Sequence, residues 1–172
     1  MSEFPDIICE VVTRREFTVA SLLVIALTTS ACSFEHAGHK PKILFVCQAG
    51  TAKSAIAREL FRRRARERGI AVDVFSRGII LEDHISSELR SKLVADGIDS
   101  TAEPAQVLGA DDLKAANTVV RFNPLPLSAV HPDIRDWSDL PSVNDNYSDA
   151  RKILDERIDK LLDEIASSSA KP

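Results

Sequence analysis

The sequence predicts an α/β domain: a four-stranded parallel sheet with helices on both faces, forming a three-layer sandwich. Three observations carry this reading. Residues 42–47 read KILFVC, a short unbroken run of β-forming apolar side chains, as in a strand buried on both faces. After a small, polar stretch the pattern turns helical at Ser54, with Ile56, Leu60 and Phe61 on one stripe. The alternation then recurs to a final amphipathic helix marked by Ile153, Leu154, Ile158, Leu161, Leu162 and Ile165. Strands alternating with helices imply a parallel sheet covered on both sides.

Taken in order, the first strand spans Lys42 to Cys47. The helix that begins at Ser54 carries Arg58, Glu59, Arg62, Arg63 and Arg66 off the apolar stripe and ends before Gly69. Its basic run reads as a solvated face whose charges complement the helix C-terminus. Residues Ala71 to Gly78 form the second strand, and Ser86 to Ala95 a helix stopped by Gly97. Thr118 to Phe122 is the third strand, Ile134 to Trp137 a short fourth. The domain is expected over 42–168, with a tail at 169–172.

Composition narrows the class. The 172 residues are 44% apolar and 28% charged, enough for one domain with a real core and too apolar for wholesale disorder. A net charge of −4, with one short and interrupted basic run at Arg62 to Arg66, speaks against a nucleic-acid partner. Three cysteines do not build a disulfide framework.

Residues 1–31 read as an export signal. The apolar run Val19 to Leu27 is about half the length of a bilayer-spanning helix. Arg14 and Arg15 precede it and Thr29-Ser30-Ala31-Cys32 follows, the basic, apolar and small-residue layout of a signal. The Arg pair followed by x-Phe17 resembles the twin-arginine export motif. Ala31-Cys32 resembles a lipoprotein cleavage box, which implies lipidation at Cys32. The expected location is the periplasmic or extracytoplasmic membrane face, reached through an N-terminal lipid anchor, with 32–41 as a tether. His36 and His39 lie in that tether and read as spacer. No metal and no cofactor is expected.

Cleavage before Cys32 removes Cys9 and leaves Cys47 as the cysteine of the folded domain. It stands at the end of the first strand, followed by Gln48, Ala49, Gly50, Thr51, Ala52, Lys53 and Ser54. A strand, a tight loop of small residues and a helix start form an anion cradle, because backbone N–H groups and the helix N-terminus converge on one spot. A thiol in such a field is favoured as thiolate. His84 and His131 lie in loop-like stretches and read as exposed loop residues.

Cys47-x5-Lys53-Ser54 at the end of an N-terminal strand resembles the Cys-x5-Arg-Ser phosphate loop of the low-molecular-weight protein tyrosine phosphatases and their arsenate reductase relatives. The likeness extends over most of Lys42 to Ile165, including the Ser76-Arg77-Gly78 end of the second strand. It implies that Cys47 is the nucleophile, that Ser54 steadies the thiolate, and that Gln48, Ala49, Gly50, Thr51, Ala52 and Lys53 hold the oxyanion. The general acid implied is Asp139, ahead of Asp136 and Asp145, in the stretch Asp136-Trp137-Ser138-Asp139-Leu140-Pro141. The Trp before the acid is similar to the reductase branch. The aromatic pair that grips a phosphotyrosine ring in the phosphatases is replaced by Leu140-Pro141.

The departure with most chemical weight is Lys53 for the family's Arg. A guanidinium fork donates two parallel bonds to a phosphoryl group, whereas an ammonium is a mobile point charge. The resemblance implies hydrolysis of a phosphomonoester, with protein phosphotyrosine as one candidate, through a phosphocysteine at Cys47. The expected partner is a phosphate-like oxyanion or phosphorylated substrate. Two alternatives stand beside it: a catalytically weakened module that binds an oxyanion or phosphoprotein, and an arsenate reductase using an external thiol. No cysteine follows Cys47 in this sequence, so a thiol relay within it has no second member.

Overall fold

Strand β1 (Lys42–Cys47) is central because every side chain after its first residue is buried, so both of its faces need cover. The computed structural model describes residues 40–126 and 129–169. After β1 come α1 (Lys53–Glu67), β2 (Asp73–Gly78), α2 (Ser87–Ala95), α3 (Ala110–Ala115), β3 (Thr118–Arg121), β4 (Ile134–Asp136) and α4 (Tyr147–Ser169). The four strands are parallel, in the order β2-β1-β3-β4.

The alternation of β1 divides the core. Ile43, Phe45 and Cys47 face the larger cluster, with Ile56, Leu60 and Phe61 of α1, Leu89 and Leu93 of α2, and Leu154, Ile158 and Leu162 of α4. Leu44 and Val46 face the smaller one, with Val119 of β3 and Leu113 of α3. Helices thus cover both faces, giving the α/β sandwich expected from the strand-helix alternation. Phe45 anchors the larger side, with its ring 5.7 Å from Phe61, 6.3 Å from Phe122 and 5.9 Å from Trp137.

Local signals set the helix ends. Ser86 caps α2 by accepting from the Leu89 N–H at 3.1 Å, and Asn146 accepts from the Asp149 N–H at 3.3 Å in the first turn of α4. Asn144 bridges the two starts, donating to the His84 carbonyl at 2.7 Å and accepting from the Ser86 N–H at 3.0 Å.

Three features differ from the sequence expectation. Helix α3 was not foreseen. Its single turn and a half buries one large side chain, Leu113, which leaves no period to read. Strand β2 begins at Asp73, where its pairing with Lys42 at the start of β1 begins. Arg58, placed off the apolar stripe, is only 2% exposed: it donates to the Ser76 hydroxyl at 2.9 Å and pairs with Glu59 at 2.7 Å.

The export signal at 1–31, its Cys32 and all but the last two residues of the 32–41 tether lie outside the described residues. Among the described residues no helix is long and apolar enough to cross a membrane.

Candidate active site

The loop from Gln48 to Ala52 leaves β1 at its carboxyl end, where α/β sheets place ligands, and it is fixed by its neighbours rather than by its own length. The Ile79 N–H donates to the carbonyls of Cys47 (3.1 Å) and Gln48 (3.0 Å), and the Ile80 N–H to Gln48 at 2.9 Å. The Thr51 hydroxyl donates to the Glu82 carbonyl at 2.7 Å and accepts from the His84 N–H at 3.2 Å. From β3's side, Asn123 Oδ1 accepts from the Gln48 N–H at 3.0 Å. Gly50 makes the turn with φ +74°, and a Cβ there would lie 2.9 Å from the Cα of Gly78. Only glycine fits this backbone and this approach together.

Within the loop, Cys47 Sγ is buried, accepts from the Gly50 N–H at 3.2 Å and lies 3.0 Å from Ser54 Oγ. Ser54 is fully buried, and its Oγ also reaches the Arg77 carbonyl at 3.5 Å. Helix α1 starts at Lys53 with Ala52 as N-cap and no side chain capping it. The N–H groups of Ala49, Thr51, Ala52, Lys53 and Ser54 find no acceptor among the described residues. Unpaired amides at a helix N-terminus around a thiol are an arrangement suited to an oxyanion.

Lys53 points across the site. Its Nζ donates to the Leu140 carbonyl at 2.6 Å. Burial lowers its pKa, opposed by the charges of Cys47 and Asp139. Lys53 therefore stands between Cys47 and the Asp139 loop.

That loop is a tight turn after β4. The Leu140 N–H donates to the Trp137 carbonyl at 3.1 Å, and the Trp137 N–H to the Arg121 carbonyl at 2.8 Å. Asp139 is 70% exposed and held in a fork by Arg157 of α4, at 2.8 and 2.5 Å. Arg157 is the main cause holding the Asp139 carboxyl below its ordinary range. Asp136 is held to about 2, first by Ser138 and then by Arg121, 2.5 Å away. Asp145 makes no hydrogen bond or ion pair among the described residues.

The structure therefore gathers Cys47, the loop from Gln48 to Lys53, and Ser54 into one cradle, with Asp139 brought near through Lys53. His84 is exposed, and His131 lies at the opposite end of the sheet with its ring nitrogens near the carbonyls of Asp133 and Ala116. Two contributors escaped sequence reasoning. Asn123 follows β3, and its place at a strand's carboxyl end is a signal that could have marked it. Arg157 sits on a long helix, and nothing local marks it. Among the described residues, no group of three His, Cys, Asp or Glu side chains is placed to hold a metal ion.

The model of the low molecular weight phosphotyrosine protein phosphatase family matches residues 42–170. No curated protein matches the chain. Solved structures do. YfkJ from Bacillus subtilis superposes with a TM-score of 0.62 at 19% identity, covering 77% of this chain and 98% of that one. A low molecular weight protein tyrosine phosphatase from T. tengcongensis gives 0.58 at 22%, covering 73% and 99%. A thioredoxin-dependent arsenate reductase from Corynebacterium glutamicum gives 0.63 at 23%, covering 77% and 65%. At these identities the likeness speaks to the fold.

Proposed function

The chain belongs to the low molecular weight phosphotyrosine protein phosphatase family, and from that premise we propose that it hydrolyses a phosphomonoester through a phosphocysteine at Cys47. The observation that carries the reading is Cys47 Sγ between the Gly50 N–H and Ser54 Oγ, in front of the uncapped start of α1.

In the proposed reaction the Cys47 thiolate attacks phosphorus. The S–P bond forms as the ester P–O bond breaks, and Asp139 gives its proton to the departing oxygen. The free loop amides and Lys53 hold the equatorial oxygens. Water, losing a proton to Asp139, then cleaves the S–P bond, releases phosphate and returns the thiolate, with Ser54 steadying the sulfur as it leaves. A protein phosphotyrosine is one candidate substrate, although Leu140-Pro141 offers no aromatic ring to grip it.

Turnover of p-nitrophenyl phosphate by the protein and by Cys47→Ser tests this. The reading predicts turnover that Cys47→Ser abolishes. No activity above that variant, with phosphate binding retained, would instead support an oxyanion- or phosphoprotein-binding module. That alternative draws on Lys53, whose ammonium is engaged by the Leu140 carbonyl. Arsenate reduction would use the same cradle and would appear as arsenite release requiring both Cys47 and an added thiol.

Export with lipid attachment at Cys32, placing the domain at the extracytoplasmic membrane face, is part of the same proposal. An intact mass from the membrane fraction showing cleavage before Cys32 and an acyl chain would support it. A cytosolic, uncleaved chain would contradict it.

A further inference from the structure

Both oxygens of the Asp139 carboxylate lie in one guanidinium fork, that of Arg157, at 2.8 and 2.5 Å. The fork is itself seated, with its central carbon 5.8 Å from the centre of the buried Trp137 ring. An acid must carry its proton on an oxygen that faces the leaving group, but each oxygen here already accepts an Arg157 N–H. A proton added to either one removes the negative charge that makes these bonds strong, so the fork favours the carboxylate over the acid.

We propose that Arg157 is a positioning residue that keeps Asp139 in reserve: its two-pronged fork favours the carboxylate, and the acid form that serves the leaving group is reached as that fork loosens. This rests on the phosphatase reading of Cys47 and Asp139. The other charged groups around Asp139 are Lys53 from α1 and Asp136 at the end of β4, which act on it in opposite senses. A cavity of about 230 Å³ opens beside Arg157, lined also by Arg135, Asp136, Trp137 and Lys160. The Arg157 side chain therefore has open space on one side into which it can move.

The test is the pH dependence of kcat with phenyl phosphate and with p-nitrophenyl phosphate, using the full chain. Phenolate is a poor leaving group and needs the acid, whereas p-nitrophenolate leaves well without it. In Arg157→Met the alkaline limb should move to higher pH with phenyl phosphate and move little with p-nitrophenyl phosphate. Arg157→Lys, which keeps the charge but not the fork, should fall between, and it covers the case in which the Met variant fails to fold. In Asp139→Asn the Arg157 substitution should have no further effect. An unmoved limb, or an equal shift in the Asp139→Asn background, overturns the proposal.

A second readout does not need turnover. The Asp139 carboxyl carbon, followed by NMR and assigned with Asp139→Asn, should titrate at higher pH in Arg157→Met than in the wild type, and an unchanged titration overturns the proposal. If the wild type and Cys47→Ser turn over alike, the phosphatase reading fails, and this titration still decides whether Arg157 holds Asp139.

Discussion

The Lys53 ammonium donates to the Leu140 carbonyl oxygen at 2.6 Å, tying the loop after β1 to the turn that carries Asp139. One side chain thus touches both halves of the proposed machinery, with burial working against its charge and Cys47 and Asp139 working for it.

Lys53→Met should therefore lower kcat by about 10² to 10³, the range for loss of one preorganised donor, or ~3–4 kcal/mol. Lys53→Arg should turn over faster than the wild type, since a fork can hold a phosphoryl oxygen and the Leu140 carbonyl at once. Steady-state kinetics with p-nitrophenyl phosphate checks both. A slower Arg variant would mean that the site is built around an ammonium.

Ser54 lies 3.0 Å from Cys47 Sγ with no exposure to solvent. Hydrogen bonds to charged groups contribute about 1.5–3 kcal/mol. Ser54→Ala should accordingly lower kcat by roughly tenfold to a hundredfold, with KM little changed, because the hydroxyl faces sulfur and not the substrate.

Gly50 and Gly69 both have positive φ, at +74° and +65°, but a Cβ at Gly69 meets nothing within 4 Å, whereas one at Gly50 meets Gly78 backbone. Gly69→Ala should cost about 1–2 kcal/mol, the left-handed penalty alone. Gly50→Ala should cost more and should also impair phosphate binding. Urea unfolding of the two variants, with phosphate titration of the folded protein, separates them.

Acid should destabilise the domain. Asp136 is held to about 2, and Asp133, Asp139 and Glu103 are lowered from their ordinary values, Asp139 and Glu103 chiefly by arginine partners. A carboxylate lowered by folding contributes stability above its unfolded pKa and loses it as pH falls through the folded one. The urea midpoint should therefore hold near neutral pH and fall between about pH 4 and pH 2. A midpoint flat across that window would contradict these pairings.

What the sequence made legible follows from where each signal resides. Strand β1, the loop after it and the stripes of α1 and α4 are local patterns, and the observed spans follow them closely: β1 ends on Cys47 and α1 begins at Lys53, one residue before the expected Ser54. Helix α3 is too short to show a period. Arg58 falls off the apolar stripe of α1, and nothing local marks it as buried. Its burial follows from Ser76 on β2 and from Glu103, 3.4 Å away on a distant loop. The contacts of Lys53 with Leu140 and of Arg157 with Asp139 cross 87 and 18 residues of chain, and only the closed fold creates them.

The central claim is that the chemistry passes through sulfur at Cys47. The most direct test mixes the full chain with phenyl phosphate, quenches in acid within the first turnovers and maps the phosphoryl group by mass. A phosphoryl adduct is expected on the peptide containing Cys47 and absent from Cys47→Ser. Turnover that persists in Cys47→Ser, or turnover in the wild type with no adduct at Cys47, would contradict it.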